Sequence, residues 1–224
     1  MLKPFKYLGA TKNLKGHLKK VVEGNEYNFG DIQFNHNPTV LDLGANIGAY
    51  TYWILNKIPN AYVIAFEPIR ETAEYYIKNM QESGAAMWSY CIVNAAVHPT
   101  KEKEIDIFLS KINSGMNSLD KNLTNTEDAQ TYKARVCHPD FLPNCDILKM
   151  DIEGSELPVL EAYLKRHAPP SVISFEYHCF GTRYDIENLL EDYVLASGLI
   201  IKPDMGTLNF VHKDVLNVMY ETKP

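Results

Sequence analysis

The chain has 224 residues, of which 46% are hydrophobic and 22% charged, a composition typical of a folded globular protein. Its length favours one α/β domain with a single sizeable core. The formal net charge of −6 argues against a surface that follows nucleic-acid phosphates, because such a surface needs clustered lysine and arginine. No nucleic-acid partner is expected.

Signals for export and for membrane insertion are not evident in the sequence. The N-terminal region lacks a long apolar stretch, and no window reaches the ~18 apolar residues of a transmembrane helix. The 4 cysteines form no C-x-x-C pair, the spacing that would indicate a zinc ribbon or a redox motif. We therefore expect a cytoplasmic protein without a transmembrane segment.

Residues 1–37 form a polar, basic appendage ahead of the main domain. Alternating apolar residues from Tyr27 to Phe34 predict a short hairpin within it. A solvated edge of the fold is the simplest interpretation, and an arm that contacts an acidic partner or a membrane surface is the alternative. The basic residues of this appendage are Lys3, Lys6, Lys12, Lys15, Lys19 and Lys20.

From residue 38 to residue 224, short apolar runs alternate with helical periods. This alternation predicts a Rossmann-like α/β domain, with a central, mostly parallel sheet and helices on both faces. The predicted strands are Thr39–Leu43, Ala61–Phe66, Tyr90–Val93, Glu104–Leu109, Asp146–Met150, Val172–Phe175, Leu199–Ile201 and Thr207–Val211. Helices are predicted over Ala49–Lys57, from Pro68 to Gly84, from Ser155, and from Asp185 to Gly198.

A polar stretch over residues 110–133 interrupts this pattern. Loops of such length in compact domains are usually functional lids or disordered segments. We expect a long loop here.

A glycine-containing turn, Asp42-Leu43-Gly44-Ala45-Asn46-Ile47-Gly48, follows the first strand. Glycine permits a sharp turn and the close approach of a ligand, and the carboxyl end of a parallel strand is where such ligands bind. The spacing is G-x-x-x-G, whereas a nicotinamide oxidoreductase is expected to carry G-x-G-x-x-G, so that class is disfavoured. Glu67 ends the second strand, where it can accept hydrogen bonds from ribose hydroxyls. These features predict a nucleoside ligand.

Three motifs resemble those of the FkbM-type S-adenosylmethionine (AdoMet)-dependent methyltransferases. They are the run Val40 to Thr51, the run Ala65 to Pro68, and Leu148-Lys149-Met150-Asp151-Ile152-Glu153-Gly154-Ser155-Glu156. The resemblance implies a class I methyltransferase fold that binds AdoMet. It places Asp42, Gly44, Asn46 and Gly48 around the methionine part of the cofactor. It places Glu67 at the ribose, and Asn94 with Ala95 near the adenine.

The same resemblance implies methyl transfer to a hydroxyl oxygen of a small-molecule or sugar acceptor. A hydroxyl needs help to lose its proton at neutral pH. His178 or Asp151 could accept that proton, or a divalent ion such as Mg²⁺ held by Asp151, Glu153 and Glu176 could lower the pKa of the acceptor. We expect Asp151, Glu153, Glu176 and His178 to form the catalytic cluster, because they follow two neighbouring strands. A catalytically silent nucleoside-binding interaction module is the alternative.

Overall fold

The computed structural model describes residues 1–24, 26–109, 130–178, 180–202 and 205–216. Its strands are β1 (Thr39–Leu43), β2 (Tyr62–Phe66), β3 (Tyr90–Val93), β4 (Ala96–Val97), β5 (Glu104–Leu109), β6 (Gln130–Cys137), β7 (Ile147–Met150), β8 (Val172–Tyr177), β9 (Tyr193–Lys202) and β10 (Met205–His212). Its helices are α1 (Lys12–Val22), α2 (Ala49–Lys57), α3 (Arg70–Ser83), α4 (Glu156–Arg166) and α5 (Phe180–Leu189).

The central sheet has seven strands in the order β3-β2-β1-β7-β8-β10-β9. The first five of these run parallel, and β10 lies antiparallel to both β8 and β9. The strands β1, β7 and β8 are buried almost throughout, as expected for a sheet covered on both faces. The predicted α/β fold with a mostly parallel sheet is confirmed.

A small second sheet has the order β4-β6-β5. Strand β6 begins at Gln130 and pairs antiparallel with β5, so the end of the predicted 110–133 loop is a strand. The rest of that predicted loop, residues 110–129, lies outside the described residues.

The helix predicted from Asp185 to Gly198 is wrong in its second half. Helix α5 ends at Leu189, and strand β9 begins at Tyr193. Gly198 lies within β9, where an added Cβ would stand 2.7 Å from Cδ2 of Leu208 on β10. Close approach of two strands, and not a helix end, therefore accounts for this glycine.

The N-terminal appendage contains a helix that the sequence analysis missed. The hydroxyl of Thr11 caps α1 by accepting a hydrogen bond from the backbone N–H of Leu14, at 3.2 Å. Leu14, Leu18 and Val21 are buried on one face of α1, in the same core cluster as residues of α2.

The predicted hairpin over Tyr27 to Phe34 is wrong, because the described residues 26–34 carry no strand pairing. Tyr27 packs edge-on against Tyr50, and Phe29 packs edge-on against Trp53. The alternating apolar residues are therefore used for packing on α2. None of the helices in the described ranges has both the length and the apolar character needed to span a bilayer.

Candidate active site

A cavity of about 340 Å³ opens at the carboxyl ends of β1, β2, β7 and β8. Pockets for small molecules typically span roughly 300–1,000 Å³. The cavity lies beside the junction of β1 and β7, where the strand order changes direction, and open α/β sheets bind ligands at this point.

The turn after β1 forms one wall of the cavity through Gly44, Ala45 and Asn46. Gly44 and Asn46 have φ angles of 76° and 49°, in the left-handed region. A Cβ on Gly44 would lie 1.8 Å from the carbonyl oxygen of Asp151, so the turns after β1 and β7 touch through this glycine. Gly44 is needed for the two turns to come together.

Gly48, a predicted cofactor residue, is not among the residues that line the cavity, and its neighbours indicate a packing role. Its φ is 94°, and an added Cβ would lie 3.0 Å from Cδ2 of Tyr76 and 3.1 Å from Cε of Met80. Both neighbours belong to α3. Gly48 therefore allows α2 to begin close to α3.

We expect Gly48→Ala to lower the free energy of unfolding by about 1–2 kcal/mol, the cost of a left-handed backbone at a residue with a Cβ. The ring of Tyr76 and the methyl of Met80 can yield by a few tenths of an ångström. Urea denaturation measures the loss, and titration with S-adenosylhomocysteine should give the parent affinity. A folded variant that no longer binds would instead assign Gly48 to the ligand site.

Glu67 lies at the end of β2 with its carboxylate held in the turn after β1. Its Oε2 accepts a hydrogen bond from the backbone N–H of Asn46, and its Oε1 accepts one from Ile69, both at 3.0 Å. Burial raises the pKa of Glu67 to about 7, although these two hydrogen bonds favour the ionised form. The carboxylate therefore changes charge near neutral pH at the edge of the cavity.

Ala95 lines the cavity, whereas Asp42 and Asn94 are not among the lining residues. Asp42 Oδ2 accepts a hydrogen bond of 2.8 Å from the hydroxyl of Thr51. Asn94 Nδ2 donates to the carbonyl oxygens of Glu67 and Pro68, each at 2.9 Å. Both side chains support the turns that carry the lining residues.

Lys149 is a buried cation that the predicted site did not include. Its Nζ donates to the carbonyl oxygen of Gly44 at 2.8 Å and lies 3.3 Å from Asp42 Oδ1 and 3.7 Å from Asp151 Oδ2. Burial by itself favours the neutral amine, but the two carboxylates outweigh it and raise the pKa of Lys149. A lysine inside the apolar run Ile147 to Met150 was the sequence signal for this role.

The four predicted catalytic residues, Asp151, Glu153, Glu176 and His178, all line the cavity. Nε2 of His178 lies 3.3 Å from Glu153 Oε2 and 3.8 Å from Glu176 Oε1. Glu153 has a φ of 55°, which is unusual for a residue other than glycine and occurs preferentially at functional sites. The turn after β7 thus brings a carboxylate to an imidazole at the end of β8.

The charges of this cluster are not equivalent. Burial, followed by repulsion from Asp151, raises the pKa of Glu153 and of Glu176. Burial also opposes ionisation of Asp151, but Lys149 and His178 outweigh it and lower the pKa of Asp151. Asp151 is therefore the carboxylate of this cluster whose ionised form its surroundings favour.

Glu156 is a structural member of the acidic motif. Its Oε1 accepts a hydrogen bond from the backbone N–H of Ile152, and its Oε2 accepts one from Gly154, both at 3.0 Å. These bonds fold the turn between β7 and α4 and so orient Glu153.

The predicted metal ligands Asp151, Glu153 and Glu176 do not form one group among the described residues. Ligand atoms of Asp151, Glu153 and His178 lie within 4.8 Å of one another. Glu176 instead forms such a group with His17 and Glu26. The two groups adjoin each other, because Glu176 also interacts with Asp151 and lies 3.8 Å from Nε2 of His178.

The N-terminal segment contributes cavity residues that sequence reasoning missed. His17, Leu14 and Leu18 of α1 line the cavity. The buried Tyr27 also lines it, and its hydroxyl donates to Asp151 Oδ2 at 3.5 Å. The helical spacing of Leu14, Leu18 and Val21 was the signal that could have placed this segment on the core.

The strand order, the glycine turn and the acidic residue after β2 define a Rossmann-like fold of the class I methyltransferase type. The profile of the FkbM methyltransferase domain matches residues 42–195, and the chain belongs to that family of methyltransferases. The predicted family is confirmed.

Three individual proteins are similar to this chain in sequence or in fold. Methyltransferase sdnD of Sordaria araneosa is 25% identical over 188 residues, which cover 70% of this chain and 73% of that protein. Methyltransferase 1 of Beauveria bassiana is 26% identical over 155 residues, which cover 60% and 61% of the two chains. The precorrin-6y C5,15-methyltransferase of Geobacter metallireducens has a similar fold, with a TM-score of 0.50 at 14% identity over 91% of this chain and 90% of that one.

Proposed function

We propose that this methyltransferase uses AdoMet and transfers the methyl group to a hydroxyl oxygen of a small-molecule or sugar acceptor. The observation that carries the proposal is the imidazole of His178 beside the carboxylates of Glu153 and Glu176, in the same cavity as Glu67. The net charge of −6 argues against nucleic acid as the acceptor.

The residues of the cavity fit AdoMet. Ionised Glu67 can accept hydrogen bonds from the ribose hydroxyls, and Gly44 with Asn46 offers an open turn to the methionine part. An apolar wall suited to a purine base lies beyond Glu67, and it is formed by Phe66, Ile69, Ala95, Ala96 and Val97. When bound, AdoMet supplies an electrophilic methyl group on a sulfonium.

The protein's own side chains accept the proton of the acceptor hydroxyl and hold the catalytic groups in position. His178 is placed to take the proton of the acceptor hydroxyl. AdoMet would supply the methyl carbon and leave as S-adenosylhomocysteine, so that the carbon–sulfur bond would break as the carbon–oxygen bond forms. Asp151, whose ionised form is favoured by its interaction with His178, stabilises the imidazolium that results. Lys149 holds the turns after β1 and β7 together through Gly44 and Asp151. Glu153, which contacts His178, therefore stays aligned with the cofactor turn.

An acceptor screen with the full chain tests this function. The protein is incubated with methyl-¹³C AdoMet and panels of hydroxylated small molecules and sugars, and S-adenosylhomocysteine release identifies the acceptors. The ¹³C shift of each purified product then identifies the methylated atom. An O-methyl product is expected, and methylation on nitrogen or carbon would contradict the proposal.

We expect the affinity for S-adenosylhomocysteine to rise about tenfold from pH 6 to pH 8, since only ionised Glu67 accepts both ribose hydrogen bonds and its pKa is about 7. The sign follows from the raised pKa: at lower pH the carboxyl is protonated, and binding must displace that proton. Glu67→Ala should weaken binding by about 1.5–3 kcal/mol at pH 8.

Isothermal titration at several pH values measures both effects. Glu67→Gln is the control, because it keeps the shape of the side chain and cannot ionise, and its pH profile should be flat. If the affinity for S-adenosylhomocysteine changed with pH equally in the parent and in Glu67→Gln, Glu67 would not be the ribose-binding residue.

A further inference from the structure

A second group of potential metal ligands lies next to the proposed catalytic cluster. It consists of His17 on α1, Glu26 in the segment after α1, and Glu176 at the end of β8. Their ligand atoms all lie within 4.8 Å of one another, and His17 Nε2 is 3.9 Å from Glu26 Oε1. This spacing exceeds a direct hydrogen bond and leaves room for a shared ion.

Glu26 has an oxygen whose hydrogen-bonding capacity is not used. The residue is 1% exposed, and its Oε1 accepts a hydrogen bond of 3.0 Å from the hydroxyl of Thr207. Its Oε2 is buried and has no hydrogen-bond partner within the described part of the chain. A buried carboxylate oxygen left in this state is costly unless a ligand satisfies it.

Lys149, the nearby buried cation, does not satisfy this oxygen of Glu26. Lys149 is already engaged by the carbonyl oxygen of Gly44 and by the carboxylates of Asp42 and Asp151. Glu26 and Glu176 are therefore two buried carboxyl groups that share the imidazole of His17, which is 35% exposed, as a neighbour. Glu176 also lies 3.8 Å from Nε2 of His178.

We propose that His17, Glu26 and Glu176 bind one divalent transition-metal ion, Mn²⁺ or Zn²⁺. One imidazole nitrogen and two carboxylate oxygens form a donor set that both ions accept, with further positions open to water or to a polar group of a ligand. The ion compensates the two buried carboxylates and satisfies Oε2 of Glu26.

The site connects α1 to the central sheet. His17 and Glu176 line the cavity, whereas Glu26 lies behind them. Metal binding therefore fixes the wall that α1 contributes to the cavity. The methyl transfer proposed above needs no ion, but both proposals use Glu176, so the metal site is tested by binding and not by turnover.

The neighbouring group of Asp151, Glu153 and His178 is the competing location. There, His178 Nε2 lies 3.3 Å from Glu153 Oε2, close enough for the imidazole and the carboxylate to compensate each other directly. In the group around Glu26, His17 Nε2 lies 3.9 Å from Glu26 Oε1, and Oε2 of Glu26 is buried without a hydrogen-bond partner within the described part of the chain, which is why we assign the ion to this group.

Titration calorimetry of the chelator-treated full chain with MnCl₂ and with ZnCl₂ tests the proposal. We expect one ion per chain. His17→Gln and Glu26→Gln should each weaken binding by about tenfold or more, since even the loss of a supporting partner of a metal ligand typically costs 10–100-fold. His36→Gln is the matched control, because His36 Nε2 pairs with Asp146 Oδ1 at 2.9 Å away from the cavity.

Pulsed electron paramagnetic resonance of the Mn²⁺ form gives a second readout. An imidazole ¹⁴N coupling is expected in the parent chain and in His178→Gln, and it should be absent in His17→Gln. If Glu26→Gln fails to fold by circular dichroism, His17→Gln alone decides, because its side chain is 35% exposed and its loss is tolerated more easily.

Absence of binding by either ion would overturn the proposal. It would also be overturned if His178→Gln removed the metal affinity and the ¹⁴N coupling while His17→Gln kept both, since the ion would then lie in the competing group.

Discussion

Replacing His178 with alanine is expected to lower the turnover of methyl transfer by ~10²–10⁴-fold, the range typical for loss of a general base. The imidazole lines the cavity, 3.3 Å from Glu153 and 3.8 Å from Glu176, so it faces the space in which an acceptor would bind. The affinity for S-adenosylhomocysteine should change little, because Glu67 and the Gly44 turn remain intact. Steady-state release of S-adenosylhomocysteine at saturating acceptor measures turnover, and calorimetry measures affinity.

Two further variants make this test specific. Glu153→Gln removes the closest charged partner of His178 while keeping the imidazole, so it should reduce turnover less than His178→Ala. His36→Ala removes a surface imidazole that pairs with Asp146, and it should leave turnover unchanged. Turnover of His178→Ala within about threefold of the parent would exclude His178 as the base.

Gly44→Ala is expected to lower the free energy of unfolding by about 2–5 kcal/mol. A left-handed backbone costs a residue with a Cβ about 1–2 kcal/mol, and overpacking against a fixed neighbour costs about 1–3 kcal/mol more. The neighbour is the backbone carbonyl oxygen of Asp151, 1.8 Å from the added Cβ, and it cannot rotate away as a side chain would. Urea denaturation of both proteins measures the loss.

Gly84→Ala separates the two contributions. Gly84 has the same φ of 76° at the end of α3, and an added Cβ there would meet no atom within 4 Å. Gly84→Ala should therefore lose only the unfolding free energy that a left-handed backbone costs a residue with a Cβ. Equal losses for Gly44→Ala and Gly84→Ala would mean that the turn after β7 moves aside freely, contrary to the close contact with Asp151.

The sequence by itself determined the parts of this protein whose signals are local. The apolar runs predicted β1, β2, β7 and β8, because a buried parallel strand is apolar throughout. The residues that directly follow those strands, Gly44, Glu67, Asp151 and His178, were placed at one edge of the sheet because parallel strands present their carboxyl ends together.

Only the tertiary structure decided the functions that depend on distant partners. Gly48 looked like a ligand-binding glycine in its motif, but the atoms that an added Cβ would meet are Tyr76 and Met80 on another helix. Glu26 carried no local signal, and its partner Thr207 is 181 positions away in the chain. Packing of α1 and Tyr27 on α2 brings His17 and Glu26 to Glu176. Periodicity reports which face of an element is apolar, whereas the choice of what that face packs against depends on the whole chain.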